Sequence, residues 1–576
     1  MNHECSPAPI STNNPLATTV EGGPHIAVIS MTPNSETSEA QARKPWWVGL
    51  PILLVIALYI LPLADAPAVT NPNEVVRIEL ATSIAFWARF DLEDSAAIYG
   101  LSEDVSIRDG KLYSDMAPGL SMISVPFVWI VNPILGRAPS SDLPAYWPLR
   151  HVLTMLLLAL PTVGLAFLVG AAVPKIDLKQ RTAYSLIAAL ATPLWTYGTV
   201  FFGHASAALL ITVAWFLLLG FPGQSSPPGP RRAALGGAVA GFSVATEYPT
   251  ALLVAVIFAT LLVRRTSLLV LVGAAAGAFA GALPALIYHQ VAFGAPWITG
   301  YSFKAASDFQ AIIAHGAFGV SWPSAEALWG ISFGARRGIF YYCPLLLLMP
   351  LGLWRMVRKG GWRDAGPILT ATVAYVLFAA GFVDWQAGWC AAARHLVPIL
   401  PLAIAVALSA AATPSKHRWG AAIVVILIAI SGTNALLTIA LTPYFPPEFG
   451  APLAQLVLPS LADGTGFSNL LSSGIGITPA VVVILIGVIV IAALIWATGR
   501  LARISHQLSS RGQEIWQRAI FMTTVAVLLL IYSWQGSAPK PETELIRSQV
   551  LRRLGHTAVA DQIEDSLLSA STAADD

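Results

Sequence analysis

The sequence predicts an all-α integral membrane protein: about thirteen transmembrane helices, with juxtamembrane helices in the first external loop. Three observations predict it. Hydrophobic residues make up 56% of the chain and charged residues only 11%, with a mean hydropathy of +0.67, whereas a soluble domain carries about 25% charged residues. Apolar runs of about 20 residues, the length needed to cross a bilayer, recur along the chain. Basic residues gather in alternate loops, as expected of cytoplasmic ones. The net charge of +2 gives no reason to expect a nucleic-acid partner.

Residues 1–45 are rich in Ser, Thr, Asn, Pro and Glu and read as a disordered cytoplasmic N-terminus. The first apolar run comes too late for a signal peptide, and Arg43 and Lys44 before it put that end inside. Strong candidate spans are 46–65, 150–173, 183–200, 204–221, 266–290, 338–356, 366–383, 394–411, 418–440, 478–498 and 519–535. Residues 233–263 are too long for one span. They are bracketed by Arg231/Arg232 and Arg264/Arg265 and interrupted by Glu247-Tyr248-Pro249, so they read as two short helices meeting at that break. Residues 117–136 are apolar but broken by Pro126 and Pro133, and read as lying in the interface. The C-terminus is then external. No repeat of 20–50 residues is visible. Cys343 and Cys390 read as buried free thiols, and no cysteine has metal-ligand spacing.

The polar residues gather on the outer side. After the first span, Val76, Leu80, Ile84 and Trp87 make a stripe at helical spacing, with Glu74 and Arg77 sharing another face. This reads as a helix lying on the membrane; the bland alternative is a solvated cap. Next comes "RDGKLYSDMAPGL", where Gly110 permits a tight turn. Lys111 and Tyr113 could share one face of an extended segment, flanked by Asp109 and Asp115; the alternative is a polar loop in water. His204 sits at a turn between spans. Glu247 sits at membrane depth, where a carboxylate costs roughly 2.5–3.5 kcal/mol and should face a cavity or a partner. Arg336 and Arg337 close the second long loop, and Arg394 opens a span after "DWQAGWCAAA". Snorkelling would account for an outer arginine, but guanidinium groups also match phosphate oxygens in pairs.

The order of these motifs resembles the GT-C superfamily of polytopic glycosyltransferases, in particular the lipid A aminoarabinose transferase and protein O-mannosyltransferase types. The motifs are "NPNEVVRIELATSI" and "RDGKLYSDMAPGLSMISVP", then "GFSVATEYPTALL", "SFGARRGIFYYCPLLLL" and "WQAGWCAAARHLVPILP". The resemblance implies a GT-C-like catalytic module at 46–410 with external loop 66–149, additional helices at 411–535, and a polar external tail at 536–576. It implies transfer of a sugar from a polyprenyl-phosphate donor to an envelope glycan, lipid or protein on the outer face of a bacterial plasma membrane. An acid at the start of the first loop is the general base, and basic residues hold the leaving phosphate. No protein-bound organic cofactor is implied, and a divalent metal is left open. Relatives have Asp-Glu at the loop start, where this chain has Asn73-Glu74, so Glu74 is the expected base. They have Lys-Pro-Pro in the second motif, where this chain has Met116-Ala117-Pro118. Lys111, Arg77 or Arg394 must then supply the cation. The remaining donor-site candidates are Asp109, Tyr113, Asp115, His204, Glu247, Arg336 and Arg337. A transporter or flippase of lipid-linked sugars is the rival reading, with a lipid-glycan ligase or a non-catalytic scaffold behind it. A transporter would place its charges near the midplane in paired broken helices, whereas here they cluster on one face.

Overall fold

The computed structural model describes residues 49–61, 71–134, 146–173, 177–220, 227–412, 417–467, 476–501, 510–536 and 539–575. The expected N-terminal tail and Cys5 lie outside them. The described chain has the expected all-α architecture and carries one short hairpin, Val105–Arg108 against Lys111–Ser114, in the first loop. The hairpin turns through Asp109 (φ 51°) and Gly110 (φ 74°). Two successive positive φ values make the tight turn whose twist matches that of paired strands.

Among the described residues, seven helices are long and apolar enough to cross a membrane: Pro148–Ala172, Leu268–Phe293, Trp362–Gly381, Arg394–Ala411, Arg418–Ala440, Pro479–Leu501 and Arg511–Gly536. Each coincides with an expected span. The other expected spans are shorter or broken. The 183–200 run ends as a helix at Leu190 and resumes as one turn, Leu194–Tyr197, because Pro193 follows Thr192 and disfavours helix there. The 338–356 run is split at Cys343-Pro344 into Ile339–Tyr342, a 3₁₀ turn Pro344–Leu348 and Met349–Gly360 for the same reason. Conversely, Gly119–Ile134 runs through Pro126 as one helix. The 233–263 stretch forms Pro230–Thr246 and Thr250–Val263, with Glu247 extended between them. Two wide π turns, Met155–Ala159 and Leu453–Val457, each precede a proline (Pro161, Pro459) by two residues. A proline has no N–H to donate and crowds the carbonyl four residues back, so the turn opens to relieve it.

Small residues set how closely the broken pair approaches its neighbour. A Cβ at Gly241 would meet the Ala278 carbonyl at 1.9 Å, and one at Gly277 the Ala234 carbonyl at 2.0 Å. The Pro230–Thr246 and Leu268–Phe293 helices thus touch backbone to backbone. This contact fixes the position of the Glu247 break.

The Pro72–Trp87 helix begins with Asn71, whose side chain accepts from the Asn73 N–H, and ends at Ala88 in the left-handed region. It does not lie on a surface. Every residue from Asn73 to Ser83 is buried. Its polar face is turned into the protein and pairs there, so the apolar stripe is only half of what it buries. Glu79 is fully buried, and neither carboxylate oxygen has a hydrogen-bond partner among the described residues. Burial pushes its carboxyl up to about 8. The folded state therefore holds a proton that the unfolded chain releases near pH 4.3, so this group's contribution to stability falls as pH rises from about 4 to 8. Thermal unfolding in detergent between pH 5 and 8.5 is expected to show a falling midpoint. Glu79→Gln, which stays neutral, should flatten that slope.

Cys343 and Cys390 are free and buried, as expected. In the C-terminal segment, helices Pro541–Arg553 and Thr557–Asp575 form a hairpin held by Arg552, which reaches Asp561 (2.8 Å) and Glu564 (2.9 Å).

Candidate functional site

A cavity of about 1050 Å³ is lined by the start of the Pro72–Trp87 helix, the 99–104 loop, Met116-Ala117, the Glu247 break, the 297–320 loop, the 384–395 strap, Tyr444 and the C-terminal hairpin. Most of its polar groups come from connections between helices, held by long-range hydrogen bonds.

At the helix start, Arg77 is 2% exposed. Its Nε donates to Asn73 Oδ1 (3.0 Å) and its Nη1 to the Ala117 carbonyl (2.9 Å). Asn73 Nδ2 in turn reaches Met116 Sδ at 2.9 Å. Asn73 and Met116 therefore touch each other as a neutral pair. Ser102 Oγ donates to the Pro72 carbonyl (2.9 Å) and accepts from the Asp104 N–H (3.2 Å). This fastens Asp104, which lines the cavity, beside the helix start. The hairpin that follows is tied down by Ser106 Oγ to the Gly300 carbonyl (2.6 Å) and Tyr288 OH to the Ser114 carbonyl (2.7 Å). That contact delivers Lys304, 5% exposed, to the acids: its Nζ lies 2.6 Å from Asp115 Oδ2 and 3.6 Å from Asp104 Oδ1. Burial and the nearby Asp104 push the Asp115 carboxyl up to about 7, against the pull of Lys304.

At the break, Glu247 Oε2 lies 3.2 Å from His204 Nδ1 and 3.9 Å from Arg77 Nη2. Gly203 leaves room for this. A Cβ there would stand 2.8 Å from Glu247 Oε2 and 2.7 Å from the Thr246 carbonyl. The expected partner for a carboxylate at this depth is thus present in two forms.

The strap from Asp384 to Ala393 is irregular, with Ala387, Gly388 and Ala392 at positive φ, a strained path for alanine. Arg337 holds it in place. Fully buried, it donates to the Gln386 (2.8 Å), Gly388 (2.7 Å) and Phe445 (3.1 Å) carbonyls. The strap delivers Arg394 and His395 to the cavity. Arg394 stacks 5.8 Å above the Phe202 ring, and its Nε has no hydrogen-bond partner among the described residues. Neither ring nitrogen of His395 has a hydrogen-bond partner among the described residues, and its ring is 5.8 Å from that of His204. Asp384 and Asp104 lie within the field of the Arg394 guanidinium, but neither forms an ion pair with it among the described residues, and a guanidinium facing a cavity in this way is suited to an incoming anion.

Arg77, His204, Glu247 and Arg394 line this cavity; the other expected residues stand elsewhere. Asp109 is 86% exposed at the hairpin turn. Lys111 is half exposed and 3.7 Å from Asp91. Tyr113 packs edge-on against Phe293. Arg337 holds the strap, the Arg336 carbonyl accepts from Arg337 and Tyr342, neither arginine lines the cavity, and Asp115 lies behind Lys304. Glu74 is fully buried behind Tyr444. Arg150 Nε and Nη2 donate to its two oxygens (2.7 and 2.9 Å), and Tyr444 OH and the Phe201 N–H both donate to Oε1 (2.6 Å each). It lines no part of the cavity. Sequence reading missed Asp104, Lys304, His395 and the Arg150–Tyr444 clamp. Only the doublet Arg394-His395 offered a signal for His395; the others are ordinary loop residues until the fold joins them. Among the described residues, no group of three or more His, Cys, Asp or Glu side chains is placed to hold a metal ion.

Fold and cavity together define a polytopic helical membrane protein with a charged pocket built from its inter-helix loops. Among solved structures it is similar to ArnT from Cupriavidus metallidurans bound to undecaprenyl phosphate, with a TM-score of 0.47 and 16% identity over 89% of this chain and 78% of that one. It is similar to the apo state of the same protein at 0.45 and 15%, over 84% and 76%. It is also similar to the oligosaccharyltransferase of Archaeoglobus fulgidus in the apo form, at 0.35 and 12% over 82% of this chain; this chain spans 60% of that one. No protein-family model and no curated protein matches the chain.

Proposed function

We propose that this chain is a membrane glycosyltransferase that moves a sugar from a polyprenyl-phosphate donor to an acceptor on the outer face of the membrane. The topology is about thirteen crossings with the N-terminus inside. The observation that carries the reading is the presence, in one cavity, of a guanidinium with an unbonded Nε, Arg394, and a carboxylate that forms no ion pair with it, Asp104.

In this reading the acceptor hydroxyl attacks the anomeric carbon of the donor. Its proton passes to Asp104, the bond from that carbon to the phosphate oxygen breaks, and polyprenyl phosphate leaves. Asp104 lines the cavity and is fastened, through Ser102 to the Pro72 carbonyl, beside the start of the helix that carries Asn73. We therefore place the proton acceptor there rather than at Glu74, whose oxygens are already occupied. A positioned base contributes about 10²–10⁴-fold. Arg394 stabilises the charge growing on the leaving phosphate, and Arg77 and Lys304 add to the positive field. Preorganised charge in a poorly hydrated site costs no reorganisation during the reaction.

Native mass spectrometry of the purified protein with undecaprenyl phosphate and with undecaprenol tests the anion site. The phosphate is expected to be retained and the alcohol not. Arg394→Ala should weaken retention by about tenfold or more, and Arg394→Lys should recover part of it, since a point charge does not reproduce the two-pronged contact. Equal retention of both lipids, or an unchanged Arg394→Ala, would remove the proposed pocket.

A further inference from the structure

The cavity has one wall that does not belong to the transmembrane bundle. Val550, Arg553 and Leu554 line it from the C-terminal hairpin. The hairpin is docked, not adjacent by chance. Leu551 is fully buried and Val550 nearly so. Arg547 is buried between Glu544 (2.6 Å) and Asp463 (2.5 Å). His556 Nε2 lies 2.9 Å from the Gly466 carbonyl.

The hairpin's three arginines differ in one respect. Arg547 and Arg552 each hold two carboxylates. Arg553 has no carboxylate within ion-pair distance among the described residues. Its guanidinium instead stacks on Trp389 at 5.0 Å, and Trp389 is itself a cavity residue of the strap. Stacking on an indole orients a guanidinium while leaving its N–H edge free. The Pro541–Arg553 helix carries Glu542, Glu544, Arg547, Arg552 and Arg553 in 13 residues, which cannot lie in hydrocarbon. This wall therefore faces water, and what meets Arg553 arrives through water and not along a lipid chain.

We infer that Arg553, held on Trp389 by the docked hairpin, is a specificity residue that binds a carboxylate or phosphate group on a water-borne acceptor glycan. This rests on reading the cavity as a glycosyl-transfer site. The donor's single phosphate is assigned to Arg394, so a second free guanidinium from the aqueous wall matches a second anion.

The test measures binding of three soluble probes to the purified full chain by calorimetry: a glucuronate-bearing hyaluronan tetrasaccharide, a mannose 6-phosphate disaccharide, and neutral chitotetraose. At least one acidic probe should bind the wild type more tightly than chitotetraose. Arg553→Gln should weaken that probe by about tenfold, as loss of a charge-assisted contact does, and Arg553→Lys should recover part. Arg553 is exposed, so the variant should fold, and unchanged protease resistance of residues 539–575 checks that the hairpin stays docked. Which acidic probe responds separates carboxylate from phosphate. Undecaprenyl phosphate retention, measured in parallel, should be unaffected by Arg553→Gln. Acidic probes binding no better than chitotetraose, or a loss in Arg553→Gln confined to undecaprenyl phosphate, would overturn the inference. Failure of the wild type to retain undecaprenyl phosphate, with acidic-probe binding intact, would instead sink the proposed function and leave the Arg553 anion site standing.

Discussion

Asp104→Asn is expected to lower sugar transfer by about a hundredfold or more, the contribution of a positioned general base, while leaving the protein folded. The substitution keeps size and shape. The Asp104 backbone stays fastened through Ser102 to Pro72, and Lys304 keeps its closer partner, Asp115 (2.6 Å). Because the group acts on the acceptor's proton, kcat and kcat/KM should fall together, with little change in undecaprenyl phosphate binding. A donor-turnover assay on variants of matched thermal stability measures this. Near-normal turnover in Asp104→Asn would move the base to another cavity carboxylate, with Glu247 and Asp384 next to be tested.

Glu74→Gln is expected to act on stability instead. Glu74 and Arg150 form a buried two-pronged ion pair, capped by Tyr444 and the Phe201 N–H. Neutralising one side takes the Glu74 carboxylate away from a buried guanidinium and turns an amide N–H₂ toward donors. Breaking such a pair costs about 3–5 kcal/mol. The thermal midpoint should drop sharply, or the protein should fail to accumulate in the membrane. Removing both charges with apolar groups of similar volume, Glu74→Met with Arg150→Met, should recover much of the loss, since it leaves no orphan charge. A well-folded but inactive Glu74→Gln would return Glu74 to the role of base.

Much of the fold was legible because the signals were local. The seven long apolar helices stand where hydrophobic runs and their basic flanks put them. The Glu247 break follows from Tyr248-Pro249, and the tight turn from Gly110, though the two strands it joins were not read. Broken spans were harder. A hydrophobic run looks the same whether it crosses or stops at Pro193 or Pro344, and neighbouring helices decide which. The Pro72–Trp87 helix shows why the polar site was read only in part. Its apolar stripe was visible, but the opposite face is buried through partners 76 and 370 residues away, Arg150 and Tyr444. No pattern within the helix reports them. Arg394 could be singled out because an arginine at the outer end of a span is unusual. Lys304 and Asp104 could not, because charged residues in long loops are ordinary until the fold brings them together.

The most direct test of glycosyl transfer from a lipid-linked donor is release of polyprenyl phosphate. Purified protein in liposomes would be given a panel of undecaprenyl-phosphate-linked sugars and an envelope extract as acceptor, with free undecaprenyl phosphate measured over time. Release with at least one donor, lost in Arg394→Ala and in Asp104→Asn, is the predicted result. Movement of the intact lipid-linked sugar across the bilayer without release of undecaprenyl phosphate would contradict transfer and establish transport in its place.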